Sequence, residues 1–375
     1  MAGIYVHIPF CTKLCYYCDF YFSLSLNNVE DVVYCIANEL IARKEYLNNL
    51  PISTLYFGGG TPTVLPVAQL EKIIQTIKNN YSTLNLEEIT VEANPDDLTP
   101  EYCHALIAAG FNRISIGIQS FNDVDLILMN RRHTAEEAKN AVRNAQLAGF
   151  LNITIDLIYG LPNQTLAAWL QNINKALELN VQHISAYHLT IEPKTRFGNL
   201  NKKGELIEMP DEESLEQFKI LRKTLLKNGF EHYEISNFCK PGFQSKHNSS
   251  YWSGVQYLGV GPSAHSFNGT NRQWNIANNL RYIKAIKDGS PEFMIEELSP
   301  NNQINEYLLT SLRMIKGMQM NLFVDKFGNK ALKTVLQNAE RWIDSGYLIN
   351  SGNALYFSEN GLFVSDQIIS DLMLV

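Results

Sequence analysis

A chain of 375 residues, 45% hydrophobic and 18% charged, can bury a sizeable core and hold one large domain plus a smaller one. Its net charge of −7 excludes a bulk nucleic-acid binder, which needs a basic excess. No apolar run approaches the ~18 residues of a spanning helix, and the first residues lack a signal peptide's basic flank and cleavage site, so a cytoplasmic protein is expected.

From Ile4 to Tyr187 short β-rich runs alternate with longer helical ones. The predicted strands are Ile4–His7, Thr54–Phe57, Ile89–Glu92, Arg113–Ile118, Ile153–Ile158 and His183–His188. The predicted helices between them include Val29–Leu47, Ala68–Asn79, Ala135–Ala148 and Leu166–Leu179. This alternation implies a parallel α/β sheet with helical crossovers, as an open doubly wound sheet or a barrel. After the first strand comes Cys11-Thr-Lys-Leu-Cys15-Tyr-Tyr-Cys18, three thiols within eight residues. Zinc ribbons bring cysteines as CxxC pairs with a second pair further on. No second pair follows, since Cys35, Cys103 and Cys239 are isolated. Three thiolates suit a four-iron cluster with one iron left without a protein ligand.

Polar or glycine-rich residues end the strands that follow. The second runs into Gly58-Gly-Gly60-Thr-Pro62, whose backbone a ligand can approach closely, although no P-loop Lys-Ser/Thr follows. Glu92 ends the third, Gln119 the fourth, with Arg131 twelve residues on, and Asp156 lies within the fifth. Singly, each reads as a cap or turn residue. Together at successive strand ends they face one mouth.

The YVHIPFC run, the cysteine triplet and GGGTP together resemble the radical S-adenosylmethionine superfamily, and more narrowly its branch containing HemN and HemW. The resemblance implies a partial TIM-type (βα)6 barrel with the site at the strands' carboxyl ends. It implies a [4Fe-4S] cluster on Cys11, Cys15 and Cys18, and S-adenosylmethionine held by Gly59, Gly60, Thr61, Glu92, Gln119, Arg131 and Asp156. Some members bind two S-adenosylmethionine molecules, and Tyr5 and Tyr17 match further contacts. Arg131 suits a carboxylate of that ligand, with Arg132 as a weaker substitute.

Beyond His188, Thr195–Glu208 reads as a polar excursion and Asp211–Asn228 as an amphipathic helix with a core face. Then comes His247-Asn-Ser-Ser-Tyr-Trp252, in a stretch free of strong helix signals. By composition alone this is a turn with two packed aromatics. HNSSYW, however, resembles a motif of the same branch whose histidine is implicated in haem binding, which makes His247 the candidate haem ligand and His265 a weaker one. Gly254–Gly261 reads as flexible, and Gly289-Ser-Pro291 with Ser299-Pro300 as brackets of a linker. Helices at Asn302–Ile315 and Lys330–Asp344, a hairpin about Ser351-Gly352 and a closing helix capped by Ser365 predict a small α+β, winged-helix-like domain. The expected division is residues 1–240 as barrel core, 241–290 as the HNxxYW segment on it, and 291–375 as the C-terminal domain.

Within the branch, the resemblance implies either a haem chaperone delivering haem to respiratory membrane proteins or an oxygen-independent coproporphyrinogen III dehydrogenase. Phe20 stands where the dehydrogenase pattern has a further cysteine, only four residues precede Tyr5, and HNSSYW is present. All three favour the chaperone. A homodimer and peripheral membrane association stay open as expectations, and a zinc-stabilised binding module is the remote third reading.

Overall fold

The computed structural model describes residues 1–374. Its strands are β1 (Ala2–Ile8), β2 (Ile52–Gly59), β3 (Glu88–Ala93), β4 (Arg113–Gln119), β5 (Ile153–Tyr159), β6 (His183–His188), β7 (Glu231–Glu234), β8 (Asn237–Cys239), β9 (Tyr257–Val260), β10 (His265–Phe267), β11 (Asn271–Asn275) and β12 (Phe293–Glu297). They form one sheet in the order β12-β11-β10-β9-β1-β2-β3-β4-β5-β6-β8-β7. From β1 to β6 each strand pairs in parallel with the next in sequence.

Helices α1 (Val29–Ala42), α2 (Val67–Asn80), α3 (Pro100–Ala108), α4 (Asp123–Leu128), α5 (Ala135–Ala148) and α6 (Leu166–Glu178) make the crossovers. A parallel sheet needs cover on both faces, and the strands are apolar accordingly, with Ile4, Val6 and Ile8 of β1 fully buried. Sequential order without a switch point is the winding of a barrel rather than of a doubly wound sheet. The barrel does not close, because the outer edge of β1 is taken by β9 and that of β6 by β8.

Helix α5 has the predicted bounds because Thr134 and Glu137 form a reciprocal capping box and Gly149 ends it at φ 106°. Helix α1 stops at Ala42, five residues short of the predicted Leu47. The polar excursion contains α7 (Arg196–Lys202), capped by Thr195, and α8 (Asp211–Lys227) follows. His247 lies on α9 (Lys246–Trp252), which overturns the helix-free reading of that stretch. The glycine-bounded segment expected to be flexible supplies β9, which pairs in parallel with β1.

After α10 (Asn279–Lys287), the expected linker contains the edge strand β12, paired with β11. The C-terminal part comprises α11 (Pro300–Arg313), β13 (Met318–Gln319), α12 (Met320–Asp344), β14 (Leu348–Asn350), β15 (Ala354–Phe357), α13 (Glu359–Phe363) and α14 (Ser365–Leu372). Helix α12 begins ten residues before its predicted start and kinks at Gly328, whose φ of 82° is non-helical. Val364, not Ser365, caps α14, without a side-chain bond. A three-stranded sheet, β13-β15-β14, completes the expected α+β unit. Among the described residues no helix is long and apolar enough to cross a membrane.

Candidate functional site

The thiol loop leaves β1 at Phe10, which is fully buried, and is closed at its base. Cys11 N–H donates to Ser23 O at 3.0 Å and Ser23 N–H to Pro9 O at 2.8 Å. A second clasp comes from the segment after β4. Tyr16 N–H reaches Met129 O at 3.1 Å, and Asn130 Nδ2 reaches Leu14 O at 2.6 Å. Cys11, Cys15 and Cys18 therefore sit half-buried on a pinned loop, while Cys35, Cys103 and Cys239 are buried elsewhere in the core. Burial pushes the Cys11 thiol up to about 11 and the Cys18 thiol up to about 12. A bound cationic centre would favour the thiolate form of such thiols.

Arg131 organises this mouth. Its Nη1 lies 3.2 Å from Cys15 Sγ, and its Nη2 donates to Asn94 Oδ1 at 2.7 Å and Gly117 O at 2.6 Å. Its Nε is buried with no partner among the described residues. Arg132 points away, paired with Asp96 at 2.6 Å and Asp97 at 2.8 Å. Gln119 is held at φ 69°, a strained value for a residue with a side chain. Its amide lies over Gly117, where an added Cβ would come within 2.9 Å of Gln119 Nε2 and 3.4 Å of Arg131 Nη2.

The glycine run is a tight cradle. Gly60 N–H donates to Ile8 O at 2.9 Å and Thr61 N–H to Phe10 O at 2.7 Å, tying the end of β2 to the thiol loop. A Cβ on Gly60 would stand 2.5 Å from Phe10 O, and one on Gly59 (φ 103°) 2.5 Å from the His7 ring. The Thr61 hydroxyl links Cys11 Sγ at 3.4 Å to Asn94 Nδ2 at 3.3 Å.

Glu92 accepts from Tyr56 Oη at 2.6 Å and from Gly59 N–H at 3.3 Å, and Asp156 accepts from the Ser115 hydroxyl at 3.3 Å. Burial, opposed by those bonds, pushes Glu92 up to about 7; burial likewise pushes Asp156 up to about 6. Tyr5 stacks on Tyr56, and half-buried Tyr17 lies beside Cys15 and Arg131. The nine residues expected around the ligand thus gather at one end of the sheet. Tyr56, Asn94, Ser115 and His7 also belong there. Only strand-end placement could have flagged Asn94; the others face inward within strands, where position along the chain says little.

A carboxyl whose native pKa exceeds its unfolded value binds its proton more tightly when folded. Glu92 therefore subtracts stability as pH rises from its ordinary 4.5 through about 7. In metal-free, ligand-free protein, Glu92→Gln is expected to match wild type near pH 4.5 and to exceed it at pH 8 by roughly 3 kcal/mol, at about 1.4 kcal/mol per unit. Paired urea melts at the two pH values check this; a constant difference between the proteins would show that Glu92 ionises without penalty.

His247 reaches the mouth residues only through Tyr56. It is 1% exposed, against Gly3 and Thr54 at the opposite, amino end of β1 and β2. Its Nδ1 is 2.8 Å from Thr54 Oγ1, its Nε2 is 2.8 Å from Tyr251 Oη, and its ring stacks on Tyr56 at 5.1 Å. Burial, with Arg113 adding to it, lowers its pKa to about 3, so the imidazole is neutral. Both ring nitrogens therefore already have partners within the chain. The Glu88 carboxylate, which nothing in the sequence singled out, accepts the N–H groups of Lys246 at 2.9 Å and His247 at 3.0 Å. His265 is exposed and stacks on Trp274.

The family model of the radical SAM superfamily matches residues 5–176, and that of the HemN C-terminal domain matches residues 298–364. The chain is 37% identical to the haem chaperone HemW of Bacillus subtilis, over 98% of both chains. It is 35% identical to that of Lactococcus lactis, over 99% of this chain and 97% of the relative. The chain belongs to the HemW family of radical SAM proteins. Among solved structures, coproporphyrinogen III oxidase (HemN) of Escherichia coli superposes with a TM-score of 0.86 at 22% identity, covering 99% of this chain and 90% of that one, which establishes the shared fold.

Membership of the superfamily implies a [4Fe-4S] cluster and S-adenosylmethionine. The residues present fit both groups: three thiols on one pinned loop, an unpartnered Arg131 Nε beside them, and a cradle at Gly59 and Gly60 that any side chain would fill.

Proposed function

We propose that this chain is a haem chaperone that carries a [4Fe-4S] cluster and S-adenosylmethionine at the thiol mouth and haem at the HNSSYW helix. The observation carrying this reading is similarity over nearly the whole chain to proteins named haem chaperone HemW, at 35–37% identity. Cys11, Cys15 and Cys18 hold the cluster. Gly59, Gly60 and Thr61 present close backbone to S-adenosylmethionine, while Glu92 and Asp156 supply acceptors for ribose hydroxyls. Arg131, already beside Cys15, balances negative charge with its guanidinium, and Gln119, Tyr5 and Tyr17 line the same mouth. When bound, the cluster supplies the electron that can cleave the sulfonium of S-adenosylmethionine.

Toward haem, His247 is the proposed iron ligand, once its Nε2 exchanges Tyr251 for the metal. Delivery to respiratory membrane proteins from the cytoplasm completes the proposal. The test is an anaerobic haem titration of cluster-loaded wild type and His247→Ala, followed in the Soret band. Stoichiometric binding by wild type, with the ferric band shifted and affinity lowered at least tenfold in the variant, is expected. Equal spectra and affinities would remove His247 as ligand. No binding by wild type, together with decarboxylated product from coproporphyrinogen III, would replace the chaperone by the porphyrinogen enzyme.

A further inference from the structure

A cavity of about 670 Å³ opens away from the thiol mouth, between α9 with β9–β11 on one side and the C-terminal α11 and α12 on the other. That volume falls within the roughly 300–1,000 Å³ of small-molecule sites. Its walls are aromatic on both sides. Tyr251 and Trp252 come from α9, Tyr257 and Phe267 from the sheet, and Tyr307 from α11. Leu309, Met314 and Leu322 add aliphatic surface. A surface this rich in rings, shared between two units, suits a broad, flat, apolar ligand.

Charge narrows the class. Arg272 is neutralised by Glu306, but Lys316 and Lys326, also on the wall, have no carboxylate partner among the described residues, and Lys326 Nζ lies 5.6 Å from the centre of the Tyr307 ring. Two ammonium groups without carboxylates, beside an aromatic slot, suit a flat ligand with carboxylates at its edge.

We propose that this cavity is the seat of haem. The macrocycle packs between the α9 aromatics and Tyr307, and Lys316 and Lys326 take its propionates, so the C-terminal domain builds half of the site. This rests on the chaperone reading and gives it a place. The cavity also joins His247 to the ligand. His247 is not on the wall, and of its hydrogen-bonding and ring partners (Thr54, Tyr56, Glu88, Ser250 and Tyr251) only Tyr251 is. Displacing the Tyr251 phenol from Nε2 is therefore the step that brings imidazole and iron together. The Arg313 guanidinium, 4.8 Å from the centre of the Trp252 ring, ties α11 to α9 and keeps the two walls in register.

The test uses the full chain, titrated anaerobically with haem and followed in the Soret band. Thr310→Trp fills the cavity from α11; Lys316→Glu with Lys326→Glu reverses its free charges at the surface, where folding is not at risk. Lys333→Glu, on α12 outside the cavity, is the control. Wild type and control are expected to bind one haem each with equal affinity. Thr310→Trp and the double variant are each expected to lose at least tenfold in affinity with unchanged melting curves. Tight wild-type binding that the double variant retains would place haem elsewhere and leave the chaperone reading standing. Absence of binding by wild type would overturn both.

Discussion

Changing any one of Cys11, Cys15 and Cys18 to alanine is expected to leave the reconstituted protein without iron, without sulfide and without the broad visible absorption of a cluster. Cys35→Ala, Cys103→Ala and Cys239→Ala are expected to retain all three. The contrast follows from placement, since the first three thiols share one loop pinned at its base and along its flank, while the others are fully buried among apolar side chains. Three ligands make the minimal set for a cluster that leaves one iron open, so no spare thiol can replace a lost one. Residues that touch the thiols without replacing them should act more mildly. Arg131→Leu and Thr61→Val, which remove the contacts to Cys15 and Cys11, are expected to cost roughly 10–100-fold in cluster affinity. Iron and sulfide assays after anaerobic reconstitution, with a chelator challenge for the milder pair, check the whole series. Full clusters in any of the first three variants would move the centre to another set of ligands.

What was legible in the sequence was whatever is encoded locally. Strands β1 to β6 are buried on both faces, so they read as apolar runs, and their order in the chain is their order in the sheet. Helix α5 carries its own start and stop in Thr134, Glu137 and Gly149. The thiol loop and glycine cradle announce themselves because thiols and bare backbone have few other uses at that spacing. The failures share the opposite cause. Helix α9 is built from Asn, Ser and aromatic residues with little helical preference of their own, and its first N–H groups are satisfied by Glu88, 158 residues away in sequence. Strand β9 is four residues long between glycines and exists because β1 offers it a parallel edge. Strand β12, exposed at every position, has no buried face to imprint a pattern. The stack that joins Tyr251, His247, Tyr56 and Glu92 crosses three elements, and no spacing along the chain encodes it.

Glu88 is the residue on which the placement of His247 turns. Its carboxylate is 3% exposed and meets two demands at once. It accepts the first N–H groups of α9, where the helix end is positive, and it lies 3.9 Å from the Arg113 guanidinium, itself 1% exposed. Glu88→Ala removes the acceptor for two buried amides and takes from Arg113 the carboxylate it is ion-paired with among the described residues. Stripping one partner from a buried charge pair costs roughly 3–5 kcal/mol, so this single change is expected to consume a large share of the protein's stability. Glu88→Gln keeps an oxygen for one amide and loses the charge, and is expected to fall between wild type and alanine. The distinguishing readout is local. With α9 unfastened, the Lys246 and His247 amides should exchange with deuterium far faster than those of β1 and β2, and haem affinity should fall along with that protection. Uniform loss of protection across the sheet would make Glu88 a general core residue. Unchanged exchange at α9 would mean that Ser245, which caps Asn248 N–H at 3.3 Å, holds the helix alone.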